Sequence, residues 1–189
     1  MLEGIKNLHF VGIGGVGMSA IAEVMLDKGY EISGSDLSES AVVKHLKAKG
    51  ATIYKGHDAL NVEGKEALVL SSAIHQDNPE LVAAKAKGLK LFHRSDILAY
   101  LLNDAKGIAV AGAHGKTTTS SMISVVLEHA KVDPTILIGG FVDYLKGNAK
   151  LGKSDYLVAE ADESDGSFLK FYPKIAVVTN IEDDHMDHY

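Results

Sequence analysis

The run Gly112-Ala113-His114-Gly115-Lys116-Thr117-Thr118-Thr119 collects the residue types that hold polyphosphate. Glycines let backbone N–H groups approach phosphate oxygens closely. The apolar run Ile108-Ala109-Val110-Ala111 before it reads as a buried strand, and residues 118–131 read as a helix. A helix N-terminus adds partial positive charge facing the anion. In such a strand–loop–helix unit Lys116 would reach the β- and γ-phosphates of ATP and the Thr117 hydroxyl would hold Mg²⁺. Gly112, His114, Gly115 and Thr118 would complete the cradle. The strict pattern has glycine five residues before Gly115, where Val110 stands, so the loop is a shortened variant. An ordinary strand–helix turn is the alternative.

A second glycine loop, Gly12-Ile13-Gly14-Gly15-Val16-Gly17, matches G-x-G-x-x-G between a predicted strand and a predicted helix. Asp36 follows Gly17 by 19 residues, where a ribose-binding acid of a dinucleotide fold would stand. The pattern specifies a diphosphate on a Rossmann-like domain without choosing the ligand. NAD and FAD fit it, and so does tight strand–helix packing with no ligand. A dehydrogenase has no use for Lys116 and Thr117. An ATPase has no use for a second diphosphate site unless its substrate also carries a diphosphate. An enzyme that spends ATP on a nucleotide-linked substrate explains both loops.

Carboxylates and imidazoles cluster after two later apolar runs. Glu160-Ala161-Asp162-Glu163-Ser164-Asp165 follows Tyr156-Leu157-Val158-Ala159, and Glu160 is a candidate Mg²⁺ ligand opposite Thr117. A solvated acidic loop is the alternative. Residues 179–189 follow Ile175-Ala176-Val177-Val178 and carry His185, which could bind a second metal ion or contact a phosphoryl group. Zinc through His185 and His188 lacks further ligands. Ser71, after another predicted strand, could contact sugar or phosphate. His57 could line the first ligand site. The remaining histidines, His9 among them, read as structural or solvated.

The elements that must position these groups alternate. Strands are expected at Leu8–Val11, Glu31–Ser33, Thr52–Tyr54, Ala67–Leu70 and Lys90–Phe92, with helices over residues 19–28, 41–49, from Asn78-Pro79 to Gly88, and 95–102. This rhythm predicts an α/β fold: a parallel sheet with helices on both faces. Asn103-Asp104-Ala105-Lys106-Gly107 is the linker candidate, dividing a domain at 1–103 from a second at 104–189. The chain has 189 residues, 46% apolar and 23% charged, with a formal charge of −6. It has no Lys/Arg cluster, so it does not read as a nucleic-acid binder. It lacks cysteine, a signal peptide and any membrane-length apolar run. A cytoplasmic protein is expected. The sequence stops just after a strand and its acidic loop, so a fragment of a longer protein is expected. A cut sheet leaves strand edges and apolar faces that a second copy of the chain could cover, which admits a homo-oligomer.

Taken together these residues resemble the Mur ligase family. The matching stretches are Val11–Val24, Ser35–Ser40, Ser71–Glu80, Ala109–Met122, Ala159–Leu169 and Val177–Tyr189, in the family's order and across nearly the whole chain. Ala159–Leu169 resembles the alanine-adding branch more than the tripeptide-recycling one. The resemblance implies a Rossmann-like UDP-substrate domain at 1–103 and, at 104–189, the truncated start of a P-loop ATPase domain, with a third domain absent. It implies ATP and Mg²⁺ as cofactors and UDP-N-acetylmuramate and L-alanine as substrates, joined through an acyl phosphate. A fragment of this kind would bind substrate without turnover. It also implies roles. Gly12, Gly14, Gly15 and Gly17 would cradle the UDP diphosphate, and Asp36 and Ser71 would contact its sugar or base. Lys116 would neutralise ATP phosphates, Thr117 and Glu160 would hold one Mg²⁺, and His185 would help hold a second. Ala113 departs from the family, which usually has Thr there. An NAD-dependent oxidoreductase and a non-catalytic nucleotide-binding module are the competing readings.

Overall fold

The computed structural model describes residues 1–162 and 166–183. The chain forms two compact units, Met1–Arg94 and Ser95–Tyr189.

The first unit runs β1 (Asn7–Val11), α1 (Val16–Asp27), β2 (Glu31–Asp36), α2 (Ala41–Ala48), β3 (Thr52–Lys55), a 3₁₀ turn (Ala59–Val62), β4 (Ala67–Leu70), α3 (Pro79–Ala86) and β5 (Lys90–His93). The five strands are parallel in the order β3-β2-β1-β4-β5. Central β1 has helices on both sides, which is why Leu8, His9, Phe10 and Val11 are all buried rather than alternating. Val11, Val62, Leu68, Leu81 and Ala84 make one core cluster. Asn78 caps α3 by accepting from the N–H groups of Glu80 and Leu81, with Pro79 in the first turn. The strand order turns back at β1/β4. Ligands of open parallel sheets bind in the crevice at the strands' carboxyl ends at such a point. The loops after β1 and β4 flank it, and a Cβ at Gly12 would touch Ile74 Cδ1 at 3.6 Å.

The second unit runs α4 (Arg94–Asp104), β6 (Lys106–Ala111), α5 (Lys116–His129), β7 (Thr135–Val142), β8 (Gly147–Lys150), β9 (Tyr156–Glu160), a 3₁₀ turn (Ser167–Lys170) and β10 (Ile175–Val178), with strand order β10-β6-β9-β7-β8. The residues expected to form a linker are ordered. Asn103 and Asp104 close α4, and Lys106 and Gly107 open β6. The Asn103 side chain donates to Lys170 O (3.0 Å) and accepts from Tyr172 N–H (2.7 Å), and Lys170 pairs with Asp96 (2.6 Å). These contacts draw α4 into the second unit, so the division falls about one helix before the boundary expected from the sequence.

The sheet is parallel except for β8, which pairs antiparallel with β7. The sequence pattern carries no clear signal for this hairpin. Gly139-Gly140 interrupts the apolar run of β7, the pairing shifts register between Leu137 and Val142, and the turn uses Lys146 at φ +54° in place of a glycine. Lys150 anchors the hairpin, bridging Glu128 and Asp133 at 2.6 Å each.

Gly34, in β2, crosses under the first glycine loop. A Cβ there would lie 2.7 Å from both Phe10 O and Ile13 Cδ1. Gly34→Ala is expected to lower stability by about 1–3 kcal/mol through overpacking. Urea unfolding curves check this, and an unchanged midpoint would mean the crossing has room for a methyl group.

Candidate functional site

In the first unit the loop between β1 and α1 is held mostly by its own backbone. Gly12 N–H and Ile13 N–H both donate to Ser35 O (2.9 and 3.0 Å), and Gly15 N–H donates to Gly12 O (3.1 Å). Gly14 N–H donates to Asp36 Oδ2 at 2.8 Å, while Asp36 Oδ1 accepts from Ser38. A Cβ at Gly14 would stand 2.7 Å from that carboxylate. The glycine amides of residues 12, 14 and 15 therefore shape the loop. The N–H groups left to face an anion are those of the first turn of α1, at Gly17 and Met18. Asp36 closes β2 as expected, and its carboxylate grips the loop.

A polar cluster that the sequence did not reveal lies against this loop. Glu80 is fully buried. Its Oε1 accepts from Asn61 Nδ2 (2.7 Å) and His9 Nε2 (3.3 Å), and its Oε2 from Ser35 Oγ (2.6 Å) and His57 Nδ1 (2.9 Å). Burial pushes the carboxyl up, but the hydrogen bonds from His9, Ser35, Asn61 and His57 outweigh it and hold Glu80 at about 2. His9 is structural, as expected, with Nδ1 3.0 Å from Ser33 Oγ. His57 joins the cluster and remains part-exposed at the end of β3. Ser71 lies in the loop after β4, partly exposed.

In the second unit the loop between β6 and α5 has the left-handed turns that glycine supplies, with Gly112 at φ +129° and Gly115 at φ +82°. A Cβ on Gly112 would collide with the Thr179 hydroxyl and the backbone of Asn180. Asn180 grips the loop at two points: its Oδ1 accepts from His114 N–H and its Nδ2 donates to His114 O, each at 3.0 Å. Thr179 Oγ1 also donates to His114 O (2.5 Å). The exposed His114 ring faces Glu182 at 3.5 Å.

Lys116 Nζ lies on the loop carbonyls of Gly112 (2.5 Å) and Ala113 (3.5 Å), a cation stored at the loop. Thr117 and Glu160 meet neighbouring glycines of β7. A Cβ at Gly140 would be 3.1 Å from Thr117 Cγ2, and one at Gly139 would be 2.6 Å from Glu160 Oε2. Ser120 Oγ lies 2.8 Å from Lys116 O and 3.2 Å from Glu160 Oε1, joining the first turn of α5 to the end of β9. Thr118 is exposed beside them. The structure thus sets Thr117 against Gly140 and Glu160 against Gly139, while Lys116 Nζ lies on the loop carbonyls. A hydroxyl and a carboxylate are the oxygen donors that Mg²⁺ prefers. No cluster of three or more His, Cys, Asp or Glu suited to a metal occurs among the described residues. His185 lies outside the described residues. No described helix is long and apolar enough to cross a membrane.

Comparison with known proteins identifies relatives along the whole chain. Residues 7–117 match the model of the Mur ligase family catalytic domain, and residues 110–189 match that of the Mur ligase middle domain. The UDP-N-acetylmuramate–L-alanine ligase of Dictyoglomus turgidum is 55% identical over 184 residues, covering 97% of this chain and 40% of the relative. That of Azoarcus sp. is 54% identical over all 189 residues, again 40% of the relative. The crystal structure of the UDP-N-acetylmuramate–alanine ligase of Thermotoga maritima superposes with a TM-score of 0.88 at 34% identity, over 97% of this chain and 43% of that one. The UDP-N-acetylmuramate:L-alanyl-γ-D-glutamyl-meso-diaminopimelate ligase of Neisseria meningitides superposes at 0.89 with 30% identity, over 98% of this chain and 64% of that one. The chain spans about 40% of the length of the curated relatives it matches.

Because folding lowers the Glu80 carboxyl from 4.5 to about 2, its stabilising contribution is present above pH 4.5 and is lost as pH falls toward 2. The linked contribution is about 3 kcal/mol. Wild type is expected to lose stability over that window more steeply than Glu80→Gln. Parallel pH–stability curves from denaturant melts would contradict the assignment.

Proposed function

The chain belongs to the Mur ligase family, and we propose that it is the first part of an enzyme that joins L-alanine to UDP-N-acetylmuramate using ATP. The observation that carries this reading is 54–55% identity along essentially the whole chain to ligases of that name. Two phosphate-type loops support it independently, since ATP and a nucleotide-sugar each need one.

In this reading ATP supplies the phosphoryl group that converts the lactyl carboxylate into an acyl phosphate, and Mg²⁺ offsets the charge that gathers there. The amine of L-alanine then attacks the acyl carbon, phosphate leaves, the amine proton is lost and an amide results. The chain's own residues bring anions together against their repulsion. Lys116 leaves its loop carbonyls for phosphate oxygens. Thr117 and Glu160 would hold the metal ion, with Ser120 orienting Glu160. His185 would help hold a second ion by family resemblance. Gly112, His114, Gly115 and Thr118 line the cradle, and Thr179 and Asn180 fix its shape.

At the first loop the turn containing Gly17 takes the UDP diphosphate, with Gly12, Gly14 and Gly15 setting the approach. Asp36, Ser71 and His57 serve the sugar or base. The first unit, bounded at 103 by the sequence and at Arg94 by the fold, acts as the UDP-substrate domain, and the second as the start of the ATP domain. The reaction belongs in the cytoplasm, where ATP and nucleotide-sugars meet. This chain alone is expected to bind substrate without turnover.

The test uses the full-length enzyme: phosphate release should require ATP, UDP-N-acetylmuramate and L-alanine together. Lys116→Met in that enzyme should lower kcat by on the order of 10²–10³-fold. Release that is indifferent to the UDP-sugar, or to loss of the lysine, would overturn the reading.

A further inference from the structure

The Glu80 cluster does more than fill space under the first glycine loop. We propose that Glu80 is a positioning residue for nucleotide binding: it fixes His57 in the neutral tautomer whose Nε2 accepts a hydrogen bond from a hydroxyl or imide N–H of the nucleoside. This rests on the nucleotide-sugar reading of the first unit.

The geometry settles that Nδ1 carries a hydrogen. An ionised carboxylate only accepts, and Glu80 meets a donor at each of its four lone-pair positions. Ser35 has one hydroxyl hydrogen and gives it to Glu80 Oε2 at 2.6 Å, so it cannot also donate to His57 Nδ1, 2.9 Å away. The hydrogen between His57 and Glu80 therefore sits on Nδ1, so the neutral form of the ring carries its lone pair on Nε2.

Nε2 makes no hydrogen bond among the described residues, although the ring is only 19% exposed. His9, the other imidazole on Glu80, has both nitrogens engaged inside the core, so only His57 can serve a ligand.

Position agrees with chemistry. Gly56 N–H donates to Asp36 O at 2.8 Å, which sets His57 at the carboxyl edge of the sheet beside the residue that grips Gly14. A lone pair repels a phosphate oxygen and accepts from a ribose hydroxyl or the imide N–H of a uracil-type base. His57 therefore serves the nucleoside end of the ligand, while the first turn of α1 serves the diphosphate. Glu80 is buried and touches no ligand. It acts through the ring.

Long-range ¹H–¹⁵N spectra of the histidine-labelled chain read the tautomer directly. The expected result is a protonated Nδ1 and a bare Nε2 at neutral pH, with the Nε2 resonance shifting when UDP is added. A bare Nδ1, or a ring protonated at both nitrogens, overturns the proposal. Glu80→Gln places an amide donor in the cluster and should move the hydrogen to Nε2, weakening UDP by about tenfold. His57→Ala, at a part-exposed position, should cost about the same, and the double variant no more than either. An equal loss from Glu80→Gln on the His57→Ala background would make Glu80 merely structural. Unchanged UDP affinity in His57→Ala overturns the ligand role even if Glu80→Gln fails to fold. Wild type with the expected tautomer but no affinity for UDP would instead sink the nucleotide-sugar reading, and the ligand role with it.

Discussion

A carboxylate withdrawn from water is tolerated only when its lone pairs are filled, and Glu80 fills its own from four separated stretches of chain. His9 comes from β1, Ser35 from β2, His57 from the residues after β3, and Asn61 from the 3₁₀ turn. Glu80 itself stands at the capped start of α3. One buried charge thus ties together the elements surrounding the β1 loop. The tie reaches the loop directly, because the Ser35 carbonyl receives the amides of Gly12 and Ile13. Losing one donor would leave a charge partly unpaired in the core, so the arrangement is held as a set.

The second unit solves a similar problem with no buried charge among its described residues. Its loop is held from the β10 side by Thr179 and Asn180, whose side chains act on the backbone of His114. Backbone glycines make the remaining space. Gly112 lets that grip close, and Gly139 and Gly140 let Glu160 and Thr117 lie against β7. A glycine pair that weakens a strand is retained here because side chains from neighbouring elements occupy the volume a Cβ would take.

Much of this was legible in the sequence. The strands of the first sheet are short apolar runs bounded by glycines, Asn and Pro, and the structure places them within a few residues of where the pattern puts them. Both phosphate-type loops stand between a strand and a helix as read. What was not legible depends on distant partners. Glu80 at a helix start looks like a solvated acid favoured by the helix dipole, and its burial follows only once β1 and β2 bring His9 and Ser35 to it. The first loop's glycines read as ligand groups, yet three of their amides are used to build the loop. The β7–β8 hairpin was masked by its central glycines and by a turn with no glycine or proline signal of its own.

The most direct test of the central claim is a thermal-shift titration of this chain with UDP-N-acetylmuramate and, separately, with NAD. A ligand at ~100 times its Kd stabilises the folded state by roughly 2.7 kcal/mol, which a melting curve resolves. Stabilisation by the UDP-sugar and not by NAD is the expected result. Stabilisation by NAD alone would mean that the loop between β1 and α1 serves a dinucleotide, contradicting the ligase reading of the first unit.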